Sequence, residues 1–283
     1  MVKQLFLDTS IQIARWLREP EMKRCINARL NQYDATATSL VVRQEFKRRL
    51  LKEAQYLLNQ LNKRGSLAAV QRHIVSVLPV QQQRKRNICL EMLATLFEEK
   101  DETERTERAK RYLRTLLRVG LKEFDNSVST VIQDSGCACA RLPVEEKVSY
   151  STYEFGTDKC SVTDDACGVA DFLNRRQPEV ERILAYLNQL PNDKKSGELS
   201  LAQEFIEKLQ AGTSPAAEMN PCLTVGDLLI ALESTDVADF YTLNGKESQH
   251  LCRALGQSLA VRPKNPAHED VVCLATDNAW REF

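Results

Sequence analysis

The chain has no excess of charge of either sign. Its 39 Lys and Arg balance its 39 Asp and Glu, so its formal net charge is zero. That argues against a histone-like or tail-like polyanion binder, whose affinity rests on surplus cations. It leaves a nuclease open, because acidic metal ligands cancel basic contacts in the count. Long apolar runs are missing too. The stretch MVKQLFLDTSIQIARWLREPE is broken by Asp8, Arg15, Arg18 and Glu19, so it has no signal-peptide core. No run approaches the length of a membrane span, and a soluble, cytoplasmic protein with no membrane partner is expected. Histidine is scarce: His73, His250 and His268 stand in no recognisable catalytic spacing. Aromatics make up 6% of the chain, so stacking on single-stranded bases is not signalled. The nine cysteines are an odd count in a chain of cytosolic character, which points to thiols or metal ligands rather than a disulfide framework.

With 283 residues, there is room for one large domain or for a domain with a sizeable insertion. Val2 to Leu7 reads as a buried strand ending at Asp8, and Ser10 can cap a helix over Ile11 to Leu17. A helix over Glu21 to Gln32 and a short strand over Asp34 to Thr38 follow. Ser39 then opens a long helix with Val42, Phe46 and Leu50 as its stripe. From Leu67 to Gln133 the pattern stays helical. Stripes run through Val70, Ile74, Val77 and Leu78, and through Leu90, Leu93, Leu96 and Phe97. Periodicity fades at Asp134 and helices resume at Val169. A Gly/Ser/Pro linker spans 212–221. The end reads helix (Val225 to Glu233), strand (Ala238 to Thr242), helix (Glu247 to Leu255), strand (Ser258 to Val261). Alternation of strand and helix at both ends predicts one α/β domain, 1–66 with 214–283, interrupted by a mainly helical insertion, 67–213. A Cys-rich segment, 134–168, lies within the insertion.

Acids recur where strands meet helices. Asp8 ends the first strand, where open parallel sheets bind ligands. Glu45 borders the buried stripe of the helix after the second strand. Asp227 sits in the first turn of GDLLIALE, Asn244 follows YTL, and Glu247 opens the next helix. Three or four such oxygens suit Mg²⁺ or Mn²⁺, which can activate water and clamp a phosphodiester. Each acid also has a plainer reading. Asp8 could cap a helix, Thr224 and Asp227 fit a capping box, and Glu45 could be a solvated helix residue.

FLDTS, the S-x5-E from Ser39 to Glu45, GDLLIALE and YTLN, in that order, resemble the PIN domain family. The resemblance covers about the first fifty residues and Pro221 to Arg262. It implies a PIN-like three-layer α/β/α fold with a central parallel sheet, plus the helical insertion. It also implies a divalent-metal-dependent endoribonuclease that cleaves RNA with metal-activated water. Its acids map onto Asp8, Glu45 and Asp227 as Mg²⁺ or Mn²⁺ ligands. Asn244 takes the place where many members carry Asp, and Glu247 would supply the late acid. Ser10 and Thr242 would orient ligands. A toxin or defence effector fits that activity. A catalytically decayed RNA-binding or scaffold module is the competing reading, favoured by Asn244 and the zero net charge. A structure-selective DNA nuclease is a third reading, with no helix–hairpin–helix-like element behind it.

Cys137, Cys139, Cys160 and Cys167 fall in one irregular stretch, where a structural Zn²⁺ would staple a thin core. Unligated thiols are the plainer alternative, and an iron–sulfur cluster a remoter one. The segment KCSVTDDAC bears a weak likeness to a C-x6-C in PIN-like proteins with long helical insertions. Cys222 and Cys252 flank the acidic motifs as buried, inert thiols. Lys47, Arg48, Arg49 and Lys52 follow Glu45 on one helix, so Lys47, Arg48 and Lys52 are candidates to carry an RNA backbone toward the acids. Further basic clusters lie at Arg84–Arg86 and Arg105–Arg118, the latter read first as a solvated helix face. The insertion suits a substrate-selecting cap or a docking surface for an inhibitory or scaffold protein.

Overall fold

A computed structural model of the chain describes residues 2–17, 20–77, 83–94, 101–137, 144–147, 152–155, 168–191, 193, 195–211, 225–237 and 239–261. The linker at 212–221 lies outside them. The strands are β1 (Gln4–Leu7), β2 (Ala35–Ser39), β3 (Thr130–Ile132), β4 (Val144–Lys147), β5 (Thr152–Phe155), β6 (Asp239–Thr242) and β7 (Ser258–Val261). β3, β2, β1, β6 and β7 form, in that order, a five-stranded sheet whose neighbours all run parallel. β4 and β5 make a separate antiparallel pair. The protein is therefore α/β with an all-parallel central sheet.

Alternation along β1 gives the sheet a core on each face. Phe6 points one way and stacks on Phe240 of β6 at 5.3 Å, within the larger apolar cluster. Leu5 and Leu7 point the other way, with Tyr241, against α1 (Thr9–Leu17) and α2 (Pro20–Leu30), through Ile11, Ala14, Met22 and Ile26. Two cores on opposite faces are compatible with a three-layer α/β/α arrangement.

Ser39 caps α3 (Leu40–Phe46), accepting the Val42 N–H, as its sequence position implies. The helix does not continue regularly. Lys47–Leu51 is a π-helical turn, in which the Lys52 N–H reaches back five residues to the Lys47 carbonyl, before α4 (Lys52–Arg64) resumes. α5 (Leu67–Val77), α6 (Gln83–Ala94) and the long α7 (Glu102–Asn126) pack on α4. Gly120 lets α7 approach the π turn, since a Cβ there would stand 2.9 Å from Leu51. Val42, Phe46, Leu50, Val70, Ile74 and Leu93 are buried as their stripes require, whereas Val77 is exposed.

One element departs from the helical reading of 67–133. β3 lies inside that stretch yet is an edge strand of the central sheet, paired with β2 from Ala37 to Ser39. It has only three residues, too few to show a period of two. A bidentate pair, Arg43 Nε and Nη2 on Asp125 Oδ1 and Oδ2 at 2.7 and 2.9 Å, ties the end of α7 to α3. After β5 come α8 (Val169–Arg175), α9 (Gln177–Gln189), α10 (Gly197–Gln210), α11 (Gly226–Glu233) and α12 (Gly245–Leu255). Among the described residues, no helix is long and apolar enough to cross a membrane.

Candidate functional site

The chain passes from β1 out to β2 and β3 on one side of the sheet, and returns to β6 and β7 on the other. The order therefore reverses between β1 and β6, where a crevice opens beyond the carboxyl ends of the strands. Asp8 stands there, one residue past β1, its N–H bonded to the Tyr241 carbonyl at 3.1 Å. Its Oδ1 accepts the Thr9 N–H at 2.6 Å. Its Oδ2 accepts both the Ser10 and the Thr242 hydroxyls, at 2.8 and 2.7 Å. Ser10 in turn accepts the Leu243 N–H, and Thr242 the Asn244 N–H, both at 2.9 Å. Ser10 and Thr242 thus orient Asp8. The Ser10 side chain is spent on this carboxylate rather than on capping α1.

Glu45 reaches the same region from α3. Its Oε2 accepts the Thr9 hydroxyl at 2.7 Å, and its Oε1 takes Arg49 at 3.0 Å. Oε1 also lies against the start of α11: a Cβ on Gly226 would meet it at 2.8 Å, so glycine at this position lets Glu45 abut the helix that carries Asp227. Asp227 and Asp8 line one cavity of about 10 Å³, room for a single water or ion. Ile230, Ala231 and Phe240 form apolar wall, and Ser248, Leu251 and Cys252 of α12 close the cavity.

The electrostatics follow from that packing. The Asp227 carboxyl is pushed up to about 7, first by burial, then by Glu45, Asp8 and Glu198, with Arg49 opposing. Glu198, in the first turn of α10, is a fourth carboxylate near the site that no sequence motif announced. Burial, then the charge on Asp8, pushes the Cys252 thiol up to about 12, so it stays a neutral, inert wall.

A hard divalent cation fits this donor chemistry. Asp8 and Asp227 share an ion-sized space, and a carboxylate such as Asp8 can accept further contacts beside its three hydrogen bonds. Among the described residues, no three His, Cys, Asp or Glu side chains form a ready-made metal group. Mg²⁺ needs none, since it is usually held by one or two carboxylates and keeps several waters.

Other expected site residues fare differently. Asn244 is half-buried at the N-terminus of α12, makes no side-chain cap and does not line the cavity. The Glu247 side chain lies outside the described residues. Lys47 is only 1% exposed, so the expectation that it contacts RNA at the surface is corrected. It follows α3, a helix buried on nearly every side, as Leu40, Val41, Val42, Gln44, Glu45 and Phe46 show. Arg48 is half-buried and Lys52 exposed, and neither lines the cavity. Thr9 and Ser248 belong to the site but were not singled out beforehand, and Arg49, expected only as part of the basic cluster after Glu45, belongs to it as the partner of Glu45. Thr9 lies inside FLDTS, and Arg49 is four residues past Glu45, the spacing of a helical ion pair.

Of the cysteine cluster only Cys137 is described, and it is buried. Cys139, Cys160 and Cys167, and with them a zinc site, fall outside the described residues. Cys25 is disulfide-bonded, a departure from the thiol-only reading.

No family model matches the chain, and neither a curated protein nor a solved structure does.

Proposed function

We propose that the protein is a divalent-metal-dependent endoribonuclease with a PIN-like fold. One observation carries the reading: Asp8 and Asp227, distant in sequence, share an ion-sized space where the order of a parallel sheet reverses, with Glu45 beside the helix that carries Asp227. Asp8 and Asp227 would hold Mg²⁺ or Mn²⁺, and Thr9, Ser10 and Thr242 would fix the ligand oxygens. When bound, the ion would activate water and stabilise charge at a scissile phosphate. Glu45, anchored by Thr9, is placed to orient that water or to ligate the ion once Arg49 lets go. Arg49 would then be available to a phosphate oxygen. The resemblance of FLDTS, GDLLIALE and YTLN to the PIN pattern supports the same reading.

The test is cleavage of labelled RNAs and single-stranded DNAs with Mn²⁺, Mg²⁺ or EDTA, for wild type beside Asp8→Asn. Metal-dependent cutting of RNA that the substitution abolishes is the expected result. A second reading, a decayed RNA-binding or scaffold module, is favoured by the Arg49–Glu45 ion pair and by Asn244 standing away from the cavity. Folded protein that binds RNA and cuts nothing in any metal would establish it.

A further inference from the structure

α7 separates its charges along its length. Its first turn is acidic and is capped by Asp101, whose side chain accepts the Glu104 N–H. Lys110 pairs with Glu107, and Arg105 with Glu102. From Arg108 to Lys122 the helix then carries six cations and no acid. Arg111, Arg114, Arg118 and Lys122 are exposed and make no hydrogen bond or ion pair at bonding distance among the described residues, with Glu107 the acid whose charge acts on Arg111 and Arg114. The opposite face is buried through Ala109, Leu113, Leu116, Leu117, Gly120, Leu121 and Phe124, which holds the cationic face outward.

This is not how a helix face is arranged for its own stability. Arg114, Arg118 and Lys122 succeed one another at i, i+4, the spacing at which like charges repel. The helix dipole does not account for them, because its influence fades within the last turn, and that turn holds no basic residue. The residues from Arg111 to Lys122 rise about 16 Å along one side. Three of the four are arginines, whose planar forks suit phosphate oxygens.

We infer that the exposed face of α7 docks the phosphate backbone of RNA. The inference rests on the nuclease reading for its choice of polyanion, and it makes the helical arm a substrate-holding surface apart from the acidic cavity. Binding there is sequence-independent and salt-dependent, because each neutralised phosphate releases counterions.

The test is RNA affinity as a function of salt, for the full chain carrying Asp8→Asn, in EDTA. It compares the parent with Arg111→Gln/Arg114→Gln/Arg118→Gln, with the same three changed to Lys, and with Arg182→Gln on α9 as a control. At about 0.7 per contact for single strands, the Gln variant's log–log slope becomes shallower by about 2, and its loss of affinity between 50 and 200 mM salt is smaller by on the order of tenfold. The Lys variant and the control keep the parent's slope. An unchanged slope in the Gln variant, an equal change in the control, or no RNA binding by the parent overturns the inference. A shallower slope in a protein that never cleaves keeps the docking surface and removes the nuclease. Cleavage with an unchanged slope does the reverse.

Discussion

The two ends of α11 carry acids raised to about the same value by different surroundings. Asp227, in the first turn, is half-buried, lines a cavity and sits among Glu45, Asp8 and Glu198. Glu233, in the last turn, is fully buried and is pushed up to about 7 by burial alone. Contacts to the Ser135 and Ser39 hydroxyls and to the Ser135 and Val41 backbone hold it back. Its Oε1 accepts the Ser135 N–H at 3.1 Å, while its Oε2 has no partner at bonding distance. At Asp227 the cost of crowding carboxylates is what a cation would relieve. At Glu233 the carboxyl joins the segment after β3 to α11 and the start of α3. A raised acid is therefore informative only together with its neighbours.

The sharpest way to break this comparison is to neutralise each acid in turn. Asp227→Asn should lower Mn²⁺-dependent RNA cleavage by more than about 100-fold, beyond the roughly 10–100-fold that loss of an outer partner costs. It should also raise the melting temperature, since it removes a buried like charge. Glu233→Gln should leave cleavage within a few-fold. Steady-state cleavage and thermal melts on the same preparations read both effects. Equal losses at the two positions would erase the distinction.

Removing the groups that orient Asp8 and Glu45 comes next. Thr242→Val and Thr9→Val should each reduce cleavage about 10–100-fold, with the fold intact by circular dichroism. A change under twofold would mean that those hydroxyls only fill space.

Stability against pH separates the acids from another side. Glu233 binds its proton more tightly folded than unfolded, where its value is near 4.5. Its contribution is thus most favourable at low pH and declines as pH rises from about 4.5 through about 7. At 1.36 kcal/mol per unit, the span is on the order of 3 kcal/mol. Asp227, raised likewise, adds a decline of its own, so denaturant melts of wild type should fall between pH 5 and 8, and Glu233→Gln should make that fall shallower without abolishing it. An unchanged slope would show that Glu233 is ionised throughout. The smallest effect expected is at Arg43→Ala, which loosens α7 from α3. Asp125 is 40% exposed, so solvent screening keeps the cost to about 1 kcal/mol in a chemical melt.

Particular residues show what was legible beforehand. Asp8 could be placed because an apolar run ending in an acid implies a strand end, and Ser39 because a cap precedes a helical stripe. Asp227 followed from the first turn of GDLLIALE. Thr242 and Ser10 were anticipated as orienting groups and do hold Asp8. Lys47 was misjudged because a cation in a mixed basic run reads as solvent-facing, whereas α3, which it ends, is buried on nearly every side by tertiary packing. β3 was hidden by its length: three residues at a sheet edge are ordered by pairing with β2 rather than by their own pattern. Ser248 and Cys252 face the cavity at i, i+4 on α12, a relation that has meaning only once α12 is packed beside α11. Glu198 comes from a helix whose approach to Asp227 is purely tertiary.

The central claim is that Asp8 and Asp227 jointly hold one divalent ion. Its most direct test is Mn²⁺ titration followed by electron paramagnetic resonance, for wild type, Asp8→Asn, Asp227→Asn and Glu233→Gln. The account predicts saturable Mn²⁺ uptake by wild type and Glu233→Gln, and its loss in both Asn variants. No uptake by wild type, or undiminished uptake by the two Asn variants, would contradict it.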